Sequence, residues 1–199
     1  MSKYSKLLSS VSAMITLSIC GCTSEEIAQT NKPTIVTTGN PELISDERKS
    51  NVESNYDALN NIDNVDNHFQ IIDIESFNGK IANNESFVVF FGSTESKICQ
   101  IAVEYINQAG IETDSVIFSV DTSQGTSEEA LNIVYESLSN YLVEKDYEKY
   151  LQIPSLFLIK DGTVIKEHIG LIDDSEGDLT ESQQKDLVDS YIEMMETIK

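Results

Sequence analysis

The chain has 199 residues, a formal net charge of −21 and a pI near 4.2, from 34 Asp and Glu against 13 Lys and Arg. A nucleic-acid ligand needs clustered Lys and Arg to neutralise its phosphates, and this composition argues against one. The length gives room for one domain with its own core plus additional segments.

At the N-terminus Lys3 and Lys6 precede an apolar stretch, residues 7–19, that serines and a threonine interrupt. It is too short and too mixed for a membrane span and has the make-up of a processing signal. The stretch ends Ile19-Cys20-Gly21-Cys22, which resembles the bacterial lipobox: an aliphatic residue, a spacer and a small residue before the cysteine that is acylated. Cys22 fits as the modified residue, because cleavage at Cys20 would put the bulky Ile19 in the small-residue position. The resemblance implies that residues 1–21 are a lipoprotein signal peptide and that the protein sits on the extracytoplasmic face of a bacterial cell membrane through lipidated Cys22. Two acyl chains suffice for stable attachment, each buried CH2 contributing about 0.8 kcal/mol. Of the three cysteines, Cys20, Cys22 and Cys99, only Cys99 is then left as a thiol, so no internal disulfide can form.

Residues 22–67 are polar, rich in Thr, Asn, Ser, Asp and Glu, with Pro33 and Pro41 as breakers and no apolar period. Such a composition predicts a flexible tether. The pattern changes at residue 68. Residues 69–74 predict a strand and 75–83 a short helix with Phe77 and Ile81 on one side. The run Phe87-Val88-Val89-Phe90-Phe91 stops at Gly92 and predicts a strand covered on both faces. A helix over 96–108 follows, with Ile98, Ile101, Ala102, Tyr105 and Ile106 at helical spacing, N-cap oxygens on Ser93, Thr94 and Ser96, and Gly110 as its terminator.

Residues 115–121 predict a third strand and 126–150 a long helix, opened by Thr126 and Ser127 and striped by Leu131, Val134, Leu138, Tyr141 and Leu142. Two apolar runs then flank Asp161-Gly162, the mark of a two-residue hairpin, with Pro154 at the head of the first, where no ladder hydrogen bond is needed. Leu187, Val188, Tyr191, Ile192 and Met195 predict a closing helix over 180–197. The order β-α-β-α-β-α-β-β-α predicts an α/β fold, a mixed central sheet flanked by helices.

A buried strand turning into a helix start, followed later by Ile153-Pro154-Ser155 and a hairpin, resembles the thioredoxin family over residues 69–199. The resemblance implies a thioredoxin-like domain from 68 to 199 and a cis peptide bond at Pro154 opposite the redox motif. It also shows what is missing. Where the family has Trp-Cys-Gly-Pro-Cys, this chain has Glu95-Ser96-Lys97-Ile98-Cys99, and the buried acid that some members place upstream of the first cysteine corresponds to Phe90. A hydroxyl at position 96 has no useful nucleophilicity near neutral pH without a strong base beside it. Dithiol exchange within the domain is therefore chemically out of reach, and Cys99 stands in the resolving position. The lipoprotein leader, the Phe-Phe-Gly entry and the longer segment before Pro154 give a weaker similarity to the bacteriocin transport accessory proteins of Gram-positive bacteria.

These residues lead to the expectation of a binding module with a degenerate active site, whose groove at Ile153 and Pro154 holds a peptide or protein partner outside the cytoplasm, or serves secretion as an accessory. The alternative is a one-thiol redox role for Cys99, which requires an exposed, acidified thiol and has Lys97 as its nearest cation in sequence. Against it stands the ordinary reading of Cys99 as a small buried apolar residue. No cofactor is implied. The acidic run 173–178 has its glycine in the wrong place for an EF-hand loop and is expected to be a solvated loop, and His68 and His168 lack the companions of a zinc site.

Overall fold

The structure, a computed structural model, describes residues 34–37, 67–145, 148–172 and 178–199, with side chains for Ile35 alone in the first of these and not for Lys145. The elements follow from local chemistry. After strand β2 (Phe69–Ile71), Asp73 takes the N-terminal cap of helix α1 (Ile74–Ala82) by accepting from the Ser76 N–H at 2.7 Å. Strand β3 (Phe87–Gly92) is buried at all six positions, as expected for a strand with both faces covered. Helix α2 (Lys97–Thr113) leads to β4 (Ile117–Asp121), and Ser127 caps α3 (Glu128–Ser137) by accepting from the Ala130 N–H at 3.1 Å. Strands β7 (Ser155–Lys160) and β8 (Thr163–Ile169) form the hairpin, and α4 (Glu181–Glu196) starts in a capping box made by Thr180 and Gln183.

The central sheet has the order β2-β4-β3-β7-β8. Strands β2 and β3 run parallel to β4, while β7 is antiparallel to β3 and β8 antiparallel to β7. The crossovers β2-α1-β3 and β3-α2-β4 step along the sheet in opposite directions, so right-handed connections put α1 and α2 on opposite faces. Each finds a companion: α1 packs against α3, and α2 against α4. This is the thioredoxin-like α/β fold expected of the sequence. Its core is aromatic around β3. Phe77 of α1 meets Phe91 and Phe87 edge to face at 5.2 and 6.1 Å, while Phe90 points to the other face of the sheet and meets Phe69 at 6.0 Å.

Three sequence expectations need correction. The helix expected over 126–150 ends at Ser137. A single 3-10 turn (Ser139–Tyr141) follows, and the chain then becomes β5 (Val143–Lys145) and β6 (Glu148–Ile153), an antiparallel pair. The reason lies at its far end, where Leu151 and Ile153 are buried and Gln152 between them is not, a period of two that a helix cannot satisfy. Tyr141 fixes the break by packing its ring 5.9 Å from that of Phe157 and donating its hydroxyl to the Val164 carbonyl at 3.2 Å.

Second, the expected tether contains a strand, β1 (Thr34–Thr37), paired in parallel with β6 in the register Thr34↔Tyr150 to Thr37↔Ile153. Its composition, two threonines around Ile-Val, is that of a strand. It forms a separate three-stranded sheet, β1-β6-β5. The rest of the expected tether up to Asp66, the leader with Cys22, and the run 173–177 lie outside the described residues.

Third, α2 does not stop at Gly110. It runs to Thr113 and ends on Asp114 in the left-handed conformation (φ 50°). Gly110 is required by packing: a Cβ there would lie 2.5 Å from Ile117 Cδ1 and 2.9 Å from His68 Cβ. Among the described residues, no helix is long and apolar enough to cross a membrane.

Candidate functional site

The carboxyl ends of the parallel strands β2, β3 and β4 come together on one edge of the sheet, which is where α/β folds place their sites. From Gly92 the chain passes through Ser93, Thr94 and Glu95 to Ser96, the N-cap of α2. The Ser96 hydroxyl accepts from the Cys99 N–H at 3.3 Å, and the Ser96 carbonyl accepts from the Gln100 N–H at 3.0 Å. A thiol at such a position would face the N–H groups of the helix start, which stabilise a thiolate. Here the position is filled by a capping hydroxyl.

Cys99 lies one turn further in and is completely buried (0% exposed). Burial pushes its thiol up from the ordinary value of 9.0, and the Asp121 carboxylate adds to the rise; hydrogen bonds from Ser96 and the Ser93 backbone pull the other way without cancelling it. The thiol therefore stays protonated and out of reach near neutral pH. Phe90, which the sequence resemblance sets against a buried acid, is likewise fully buried and offers no titratable group.

Around the motif is a polar frame that the sequence alone did not single out. Gln100, buried on α2, donates its side-chain N–H to the Thr94 carbonyl at 2.6 Å. Asp121 at the end of β4 accepts from Thr94 Oγ1 at 3.3 Å, Ser123 Oγ at 2.7 Å and Gln124 Nε2 at 3.1 Å. Desolvation raises the Asp121 pKa, but the Ser123 and Gln124 hydrogen bonds outweigh it and leave the carboxyl below its usual range. Thr122 donates from both its backbone N–H (2.7 Å) and its hydroxyl (2.9 Å) to the Gly92 carbonyl. The loop is thus held from two sides. The available signal was positional: Asp121 ends a parallel strand beside the motif, and Gln100 follows Cys99 on the inward face of α2.

The second half of the site is the start of β7. The Ile153–Pro154 peptide bond is cis, and the β3/β7 register ends at Phe91↔Ser155, so Pro154 stands one residue beyond it at the strand end that leads into the motif. The Pro154 carbonyl accepts from the Gly170 N–H at 2.8 Å, and the Ser155 hydroxyl donates to the Gln152 carbonyl. Ile153 is 3% exposed, and its main chain pairs with Thr37 of β1. So the structure brings Ser96, Cys99, Ile153 and Pro154 to one end of the sheet, while Cys22 lies outside the described residues.

Both histidines have structural partners. His68 Nδ1 is 3.1 Å from the Ser115 carbonyl, and His168 Nε2 is 2.9 Å from the Leu171 carbonyl with its ring against Tyr191. Among the described residues no cluster of His, Cys, Asp and Glu is arranged to hold a metal ion. A cavity of about 320 Å³ lies at the ends of β2 and β4 between Ile71, Asp73, Glu75, Asp121 and Thr126. A larger one, about 610 Å³, lies away from the motif between β8 and α4.

No protein-family model matches the chain, and no curated protein matches it. Among solved structures it is similar to thioredoxin O2 from Arabidopsis thaliana in the oxidized state, at 14% identity over 66% of this chain and 96% of that one, with a TM-score of 0.42. It is also similar to the thioredoxin of Plasmodium falciparum (18% identity, 61% of this chain, 98% of that one, TM-score 0.37) and to that of Aeropyrum pernix (20%, 50%, 73% and 0.36). At such identities and scores these likenesses carry no argument about activity, and the fold stands on the strand order and crossovers described above.

Proposed function

We propose that the chain is a lipid-anchored, extracytoplasmic thioredoxin-like module that holds an extended segment of another protein beside Pro154 and does so without thiol chemistry. The observation that carries this reading is what has become of the two motif positions: Ser96 is a helix cap and Cys99 is a buried, protonated thiol. Exchange needs a thiolate that can reach a disulfide sulfur, and neither position supplies one. The peptide side of the scaffold is in place, with Ile153 and Pro154 at the motif's edge, and main-chain pairing with an extended segment needs no sulfur. A place in protein secretion agrees with the anchor on Cys22 and with the similarity to bacteriocin transport accessory proteins. The one-thiol alternative through Cys99 is weakened by the same burial.

The test is a photo-crosslinking amino acid at Gln152, half-buried next to Ile153, in the full-length chain on the surface of a Gram-positive host. Discrete intermolecular adducts, larger than the chain itself, should form, disappear in Pro154→Ala and survive in Cys99→Ala. Adducts indifferent to Pro154→Ala, or lost in Cys99→Ala, would contradict the reading. In the same cells Cys22→Ala should abolish incorporation of an alkyne-tagged fatty acid, and retained label would refute the anchor.

A further inference from the structure

Strand β1 is an unusual tenant of this fold. It precedes the domain in sequence, joined to it through residues 38–66, and it takes β6 along residues 150–153, the stretch that runs directly into Pro154. We infer that Thr34–Thr37 is a resident strand held in the strand-addition edge of β6, standing where a partner's extended segment would pair, so that the site beside Pro154 is occupied by the chain itself until β1 leaves. This rests on the peptide-groove reading above and adds how that groove is closed and what opens it.

Three observations carry it. The last pair of the register is Thr37↔Ile153, so β1 engages the main chain of the residue that immediately precedes the cis proline. The hold is small: four residues in parallel pairing, less stable per residue than antiparallel pairing, with Ile35 partly buried against the core. Its departure also breaks no ladder of the central sheet, because β1 belongs to the separate sheet β1-β6-β5 and shares no ladder with β2, β3, β4, β7 or β8. The occupant to which this edge is fitted is an extended protein segment with a β-branched run of the Thr-Ile-Val-Thr kind, entering parallel to β6.

The experiment compares the full-length wild type with Ile35→Asp, which places a charge where a half-buried isoleucine packs, by amide hydrogen exchange and by binding of a fluorescein-labelled synthetic peptide copying residues 31–40. In Ile35→Asp the β6 amides should exchange at least about tenfold faster while those of β3 and β7 keep their protection, and the peptide should bind about tenfold more tightly than to the wild type. Unchanged β6 exchange, or faster exchange with no gain in peptide binding, overturns the inference. Should Ile35→Asp loosen β3 and β7 as well, Ile35→Ser is read by the same criteria. An unrelated extended peptide with alternating apolar residues separates the two claims. If the opened variant takes the 31–40 peptide and refuses the unrelated one, the resident strand stands and the groove's role in binding other proteins falls.

Discussion

At position 96 a hydroxyl and a thiol would face the same N–H groups of the helix start, but only the thiol would become an anion there. The hydroxyl accepts from the Cys99 N–H and stops at capping. Cys99 shows the converse: a residue type capable of chemistry, removed from it by burial. Its raised pKa has a consequence for stability. A thiol whose pKa is higher folded than unfolded favours the native state below the unfolded value, and that contribution is lost as pH rises from there through the folded value. Tyr135, pushed up to about 12 by burial, and the fully buried Tyr191, also pushed up, act in the same direction from an ordinary value of 10.0. The urea midpoint of the full chain should therefore fall progressively above about pH 9 on account of these three groups. A midpoint that holds steady or rises between pH 9 and 11 would show that Cys99 and the two tyrosines ionise freely in the folded state.

Among the elements, two glycines give opposite lessons about what a sequence discloses. Asp161-Gly162 was legible as a hairpin turn, and the structure places both residues at positive φ, 51° and 72°, with Lys160 paired to Thr163 across them. Gly162→Ala should cost about 1–2 kcal/mol, since the conformation disfavours a Cβ that would also lie 2.8 Å from the Ile81 carbonyl oxygen. Gly110 reads equally well as a helix terminator and is instead a point of close approach inside α2. Replacing it with alanine would gain about 1 kcal/mol in helix propensity, yet the contact with Ile117 should make the change destabilising by about 1–3 kcal/mol overall. Thermal unfolding of the two variants checks both, and a Gly110→Ala protein more stable than wild type would refute the packing account. The same distinction governs the rest of the fold. Strand β3, the caps at Ser96 and Ser127 and the turn at Gly162 were legible because local chemistry and tertiary placement agree there. The end of α3 was not, because Leu138, Tyr141 and Leu142 keep helical spacing while the burial of Leu151 and Ile153 imposes extended chain beyond them. Strand β1 was hidden by its setting, a four-residue β-branched run in a polar stretch, whose pairing partner lies on the far side of the domain's sequence.

For the molecule as a whole, a strongly acidic chain carries a thioredoxin-like sheet, a strand-to-helix turn where Ser96 caps the helix and Cys99 is buried, and a cis-proline edge next to which strand β1 is seated. The positions singled out in the sequence, Ser96, Cys99, Ile153 and Pro154, lie at one end of the sheet; the frame of Gln100 and Asp121 that fixes the loop became visible only in three dimensions. Under the proposed function, a partner would meet main chain and contour at this end of the sheet, with the Cys99 sulfur buried beneath. The most direct measurement is the reduction of insulin disulfides by dithiothreitol in the presence of the full-length chain, read as the onset of turbidity. The wild type should leave the rate at that of dithiothreitol alone, while Ser96→Cys, which puts a thiol at the helix start above Cys99, should accelerate it. Catalysis by the wild type that disappears in Cys99→Ala would contradict the account.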